Sequence, residues 1–103
     1  MPKTWGGRSY FDYSGSVDNG TEIYFGHGNK ATVTAQKYID LRKHFRCQIV
    51  PVGTSRTDPP SDSLGAWLQA NVTRVAIASY VAAILILEGY AERIGKHDIH
   101  LIK

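Results

Sequence analysis

The sequence predicts an α+β domain, an N-terminal β-hairpin followed by an αβααββ series with a buried, apolar third helix. Three observations point there. Residues 9–25 are rich in aromatic and β-branched side chains around an Asn19-Gly20 turn signal. Residues 34–45 change to apolar spacings of three and four, and "VAIASYVAAILIL", Val75 to Leu87, runs almost unbroken to a stop at Gly89.

The strand expectation comes first in chain order. "SYFDYSGSV" and "TEIYF" alternate so that Phe11 and Tyr13 share one face with Ile23 and Phe25, while Tyr10, Asp12, Glu22 and Tyr24 take the other. "DNG" supplies the hairpin turn, and Gly15 is a candidate bulge. "GHGN" reads as a turn into an amphipathic helix over residues 33–45, capped by Thr32 or Thr34, with Tyr38, Leu41 and Phe45 on its inner face.

"QIVPV" is a short strand in which Pro51 requires an edge or a strand end. "GTSRTDPPSDS" is a loop that offers Ser61, Asp62 or Ser63 as cap for a helix over residues 64–70, which ends near Asn71. A third helix is expected over residues 74–88, with Gly89 as its C′ residue. It is apolar nearly all round, so polypeptide must cover it: each of Ile84, Ile86 and Leu87 left in water forfeits about 1.5–3 kcal/mol. "YAERI" and "DIHLIK" around "GKH" form a closing hairpin.

A chain of 103 residues suffices for one core but not for two, so a single domain is expected, with residues 1–29 as a hairpin extension of a core over residues 33–103. With 43% hydrophobic and 20% charged residues the chain should fold. A net charge of +3 and a pI near 9.1 favour approach of a polyanion. The single Cys47 excludes an internal disulfide and a cysteine metal cage, and fits the cytoplasm. "MPKTWGGRSYF" lacks the apolar stretch of a signal peptide, and Val75 to Leu87 would cover about 20 Å as a helix against roughly 30 Å of hydrocarbon. No membrane span is expected.

The order helix, strand, helix, helix, hairpin from Val33 to Lys103, with the ending "LEGYAERIGKHDIHLIK", resembles a winged helix-turn-helix domain. The resemblance implies that residues 74–88 are the recognition helix and that Lys96 and His97 sit at the wing tip. It implies DNA contacts from Arg56, Arg74, Ser79, Tyr80, Arg93 and Lys96. "VGTSRTDPP" and "SLGAWLQANVTRVAIASY" are similar to small uncharacterised bacterial proteins of mobile gene cassettes, which implies no activity.

Against the family pattern, residues 74–88 offer few polar side chains to a groove, and Ile86 and Leu87 stand where charges are expected. Two coverings are open for them: the N-terminal hairpin, or a second copy meeting Ala78, Ala82, Ile86 and Leu87 in a homodimer. Weighed against these sites, scattered Arg and Lys more often make an ordinary solvated surface. "GTSRT" lacks the rest of a phosphate loop. His27, His44, His97 and His100 lack metal-ligand spacing, and Asp12 and Glu22, a carboxylate pair across the first hairpin, read as solubilising. No cofactor or metal is implied. The expectation is a non-enzymatic DNA-binding or protein-interaction module; the alternative is a small-molecule-binding or self-assembling accessory protein, with an aromatic site around Trp5, Tyr10 or Trp67.

Overall fold

A computed structural model describes residues 1–103. The elements run β1 (Asp12–Ser16), β2 (Gly20–Phe25), β3 (Asn29–Thr34), α1 (Ala35–His44), β4 (Ile49–Pro51), α2 (Leu64–Asn71), α3 (Ala78–Leu87), β5 (Ala91–Ile94) and β6 (Asp98–Leu101). They form two antiparallel three-stranded sheets, ordered β1-β2-β3 and β4-β6-β5, with three helices. The protein is α+β, with the αβααββ series following the first sheet.

The first sheet has one strand more than the sequence pattern suggested. Residues 29–34 are β3 rather than a turn and the first turn of a helix, because Ala31 and Val33 alternate into the core while Thr32 and Thr34 point out. A Thr-Val-Thr run is stiff at χ1 and suits a strand better than a helix. Thr34 then caps α1, its hydroxyl accepting from the Lys37 N–H at 3.2 Å. Gly15 is no bulge: it pairs directly with Thr21 in a register that stays constant from Asp12↔Tyr24 to Ser16↔Gly20.

In the second sheet β4 lies at an edge, with Pro51 as its last residue. Ser63 caps α2 by accepting from Ala66 N–H at 3.1 Å. Gly65 lets α2 approach the chain after β4: its N–H donates to the Val52 carbonyl at 2.8 Å, and a Cβ there would overlap the Gly53 carbonyl.

The third helix starts four residues later than expected. Thr73 Oγ1 accepts from the Val75 N–H at 3.3 Å, a local bond that competes with helical pairing, and the helix begins only beyond Ile77. Its end is as expected. Gly89 at φ +84 forms a Schellman closure, in which Tyr90 N–H donates to the Leu85 carbonyl at 2.8 Å and Gly89 N–H to the Ile86 carbonyl at 3.1 Å.

A single cluster of 22 buried hydrophobic residues draws on both sheets and all three helices. Trp5, Phe11, Val17 and Ile23 belong to it, so residues 1–29 contribute side chains to the same core as the rest of the chain. The N-terminal region covers α3: Tyr80 packs against Phe11 at 5.2 Å and Phe25 at 4.8 Å, and Trp5 N–H donates to the Ser79 carbonyl at 3.0 Å. Ala78 and Ala82 are thereby buried inside the chain, at 2% and 0% exposure, and cannot meet a second copy in this fold. Ile84 is buried, Ile86 half-buried, and Leu87 is 64% exposed. No helix is long and apolar enough to cross a membrane.

Candidate anion-binding cleft

A cleft of about 510 Å³ forms where three distant segments meet. The β2–β3 hairpin contributes Phe25, Gly26, Asn29 and Lys30; the loop after β4 contributes Arg56; and the approach to α3 contributes Arg74, Val75, Ala76 and Tyr80. Local bonds position each segment. Gln69 Nε2 donates to the Arg56 carbonyl at 3.2 Å, and Ser55 Oγ accepts from Asp58 N–H at 3.1 Å. That serine also accepts from Thr57 N–H at 3.4 Å, so its hydroxyl is used inside the loop, and the segment contributes its arginine to the cleft. Phe25 and Tyr80, stacked at an interplanar angle of 27°, form the apolar side.

The charge in this cleft has one sign. No Asp or Glu lines it, whereas Lys30, Arg56 and Arg74 do, all exposed. The chain's two ion pairs are Lys30–Glu22 at 3.9 Å and Arg42–Asp18 at 4.0 Å, so Arg56 and Arg74 have no carboxylate partner. Lys30 is partly compensated by Glu22, which lies outside the lining, whereas Arg56 and Arg74 come from separate segments without a counter-charge and leave a positive potential in a concave surface, where low-dielectric walls strengthen it.

A second cleft of about 480 Å³ adjoins the first and shares Phe25, Gly26, Asn29 and Lys30 with it. Its character is aromatic. Tyr10 and Tyr24 stand 57% and 41% exposed, with Asp12 beside them. The register sets Asp12, Tyr24 and Lys30 in one cross-strand row over β1, β2 and β3.

The expected basic set therefore divides. Arg56, Arg74 and Tyr80 come together, while Ser79, Arg93 and Lys96 hold down the N-terminal segment. The Arg93 guanidinium lies 4.0 Å from the Trp5 ring, with Nη1 donating to the Trp5 carbonyl at 2.8 Å and Nε to the Gly95 carbonyl at 3.1 Å. Trp5 Nε1 donates to the Lys96 carbonyl at 3.1 Å. Arg93 is thus a clamp, committed to its own chain. Beside it, Pro2, Ala83, Ile86 and Leu87 line a shallow depression of about 290 Å³.

The remaining candidates do not assemble into a catalytic or metal site. Asp12 pairs with Tyr24 and Glu22 with Ser14, so the two carboxylates are diagonal on the sheet, and Glu22 accepts from the Tyr24 hydroxyl at 2.7 Å. His44 packs edge-on against Phe45 at 4.6 Å. Trp67 is half-buried and packs at 6.4 Å from Phe45. No three His, Cys, Asp or Glu side chains gather to hold a metal.

Three tyrosines carry raised pKa values. Burial, reinforced by its hydrogen bond to Glu88, pushes Tyr13 up to about 12. Burial raises Tyr38 further, against a lowering contribution from its bond with Thr21. The bond to Asp18 raises the half-buried Tyr90. All three are therefore neutral hydroxyls at physiological pH, and their bonds brace the fold: Tyr13 and the Val17 N–H both reach the Glu88 carboxylate, at 2.8 and 2.9 Å, tying the first hairpin to the end of α3.

Lys30 and Phe25 complete the cleft and escaped the sequence reading of sites. The signal for Lys30 was the alternation of Ala31 and Val33, which marks a strand and turns its neighbour outward. Comparison of the chain with protein-family models, with curated proteins and with solved structures finds no match in any of the three.

Proposed function

We propose that this protein is a small, non-enzymatic nucleic-acid-binding module that engages phosphates through Lys30, Arg56 and Arg74. The observation carrying this reading is the convergence of those three cations from three segments on a cleft with no carboxylate in its lining, Arg56 and Arg74 being unpaired and Lys30 lying 3.9 Å from Glu22 beside it. A net charge of +3 favours encounter with the same kind of ligand. The surface used differs from that of a winged-helix recognition helix, since α3 buries five of its ten residues and the N-terminal segment is bonded to Ser79. The phosphate contacts come instead from β3, the loop before α2 and the approach to α3. Its single Cys47, exposed and unpaired, suits a reducing cytoplasm.

The test is binding to mixed-sequence duplex and single-stranded oligonucleotides across a salt series. Affinity should fall with salt at a log–log slope of about −2 to −3 for duplex and about −1.5 to −2 for single strands, as expected for two or three phosphate contacts. No binding at low salt to either form sinks the reading.

A second reading, self-association, draws on Leu87, which stands 64% exposed beside half-buried Ile86. Sedimentation of the wild type against Leu87→Lys tests it. A concentration-dependent dimer lost in the variant supports association through this patch, and a monomer throughout removes it.

A further inference from the structure

The aromatic cleft next to the cations bears on the form of the ligand. We infer that the protein takes single-stranded nucleic acid, with a base stacked on Tyr24, its edge toward Asp12 and its phosphates over Lys30, Arg56 and Arg74. This inference rests on the phosphate reading above and deepens it.

The sheet row carries the argument. Asp12, Tyr24 and Lys30 are direct cross-strand partners on β1, β2 and β3, which sets an acceptor, an aromatic face and a cation side by side. Strands about 4.8 Å apart give that row a span of about 10 Å, the scale of one nucleotide from base edge to phosphate. Chemistry is sorted along it as a nucleotide is. The carboxylate lies in the aromatic cleft, where an ionised acceptor receives amino and imino protons of a base, and the carboxylate-free cleft begins at Lys30.

Exposure points the same way. Tyr24 presents open ring surface on a sheet whose other face is already packed, and Tyr10, just before that sheet, is exposed beside it with Lys3 Nζ over its ring at 5.8 Å from the centre. A duplex hides its base faces and leaves such rings unused. A single strand exposes them, and base–aromatic stacking beside a basic track is the general solution for binding one. The Asp12 carboxylate further favours cytosine, adenine and guanine, which carry amino donors, over thymine or uracil, whose single imino N–H sits between two carbonyl oxygens that repel it.

Fluorescence anisotropy at one low salt concentration tests this, with labelled oligocytidine, oligothymidine and a mixed-sequence duplex of about 12 units each, and inorganic polyphosphate as competitor. Oligocytidine should bind at least about tenfold more tightly than the duplex, and Tyr24→Ala should cost about tenfold for single strands while leaving duplex and polyphosphate binding as they were. Tyr10→Ala, at a residue outside the sheet, should act in the same direction should Tyr24→Ala fold poorly. Asp12→Asn should strengthen binding of both strands, by removing a negative charge, yet erase the preference for cytidine. Duplex binding equal to single-strand binding, or single-strand affinity indifferent to both tyrosine variants, overturns the inference and leaves the phosphate reading standing. No binding of any oligonucleotide overturns both.

Discussion

Two arginine–aromatic groupings stand on this small molecule, and they are put to opposite uses. At one, Arg93 lies over Trp5 and donates to two backbone carbonyls. At the other, Arg56 and Arg74 flank the stacked rings of Phe25 and Tyr80 with no ion pair of their own. The first arginine is part of the fold and the others are available to a ligand. Residue type and local sequence are the same in kind at both places; what separates them is whether carbonyl oxygens lie within reach of the guanidinium.

The sharpest way to break this contrast is Trp5→Ala. Removing a buried indole that also carries the Arg93 contact and a hydrogen bond should cost about 3–5 kcal/mol, read as a lower midpoint in urea unfolding. Nucleic-acid affinity of the protein that remains folded should be unchanged. Arg93→Ala comes next, at about 1–2 kcal/mol from two neutral-acceptor hydrogen bonds and an exposed cation–π contact, again with the salt slope of binding unaltered.

Smaller is Tyr13→Phe, which removes one hydrogen bond from the Glu88 brace, at about 1 kcal/mol near neutral pH. It also reports on pH. Because Tyr13 keeps its proton to about pH 12 when folded and releases it near 10 when unfolded, the unfolded state holds fewer protons between those values. Stability contributed below pH 10 is therefore lost as pH rises through that window, and Tyr13→Phe should show a shallower alkaline decline in thermal unfolding.

The smallest effect on stability is expected for the pair Arg56→Ala with Arg74→Ala, within about 0.5 kcal/mol because neither guanidinium holds anything in the chain. Binding is where that variant speaks: the salt slope should drop by about 2. A double variant that unfolds easily and binds normally would reverse the assignment of the two groupings.

Much of the architecture could be read from short-range rules. Ser63 and Thr34 cap helices, Gly89 stops one, Pro51 sits at an edge, and Phe11 and Ile23 face inward because residues two apart share a side. The failures came where two local preferences compete over a few residues. In 29–34 a turn signal followed directly by a helix pattern hid a short strand, and pairing with neighbouring β2 decided for it. Around Thr73 an apolar run suggested early helix, and a hydroxyl bonded to Val75 N–H delayed it.

The site was legible only in fragments. Arg56, Arg74 and Tyr80 could be named as candidates, but so were Ser79, Arg93 and Lys96, and nothing in their spacing distinguishes the groups. The aromatic row was visible as an alternation, yet its alignment with Lys30 depends on a strand that the pattern did not reveal.

Local order along this chain follows from interactions among residues a few positions apart, which the order of side chains specifies directly: caps, turns, alternation and the apolar demand of residues 78–87. Pairing across long separations does not. Trp5 meets Arg93 at a separation of 88 residues, and Lys30, Arg56 and Arg74 share a cleft because three segments happen to close around one core. Which cations are consumed by the fold and which remain open is a property of that closure, because a guanidinium's partners are determined by distances in space.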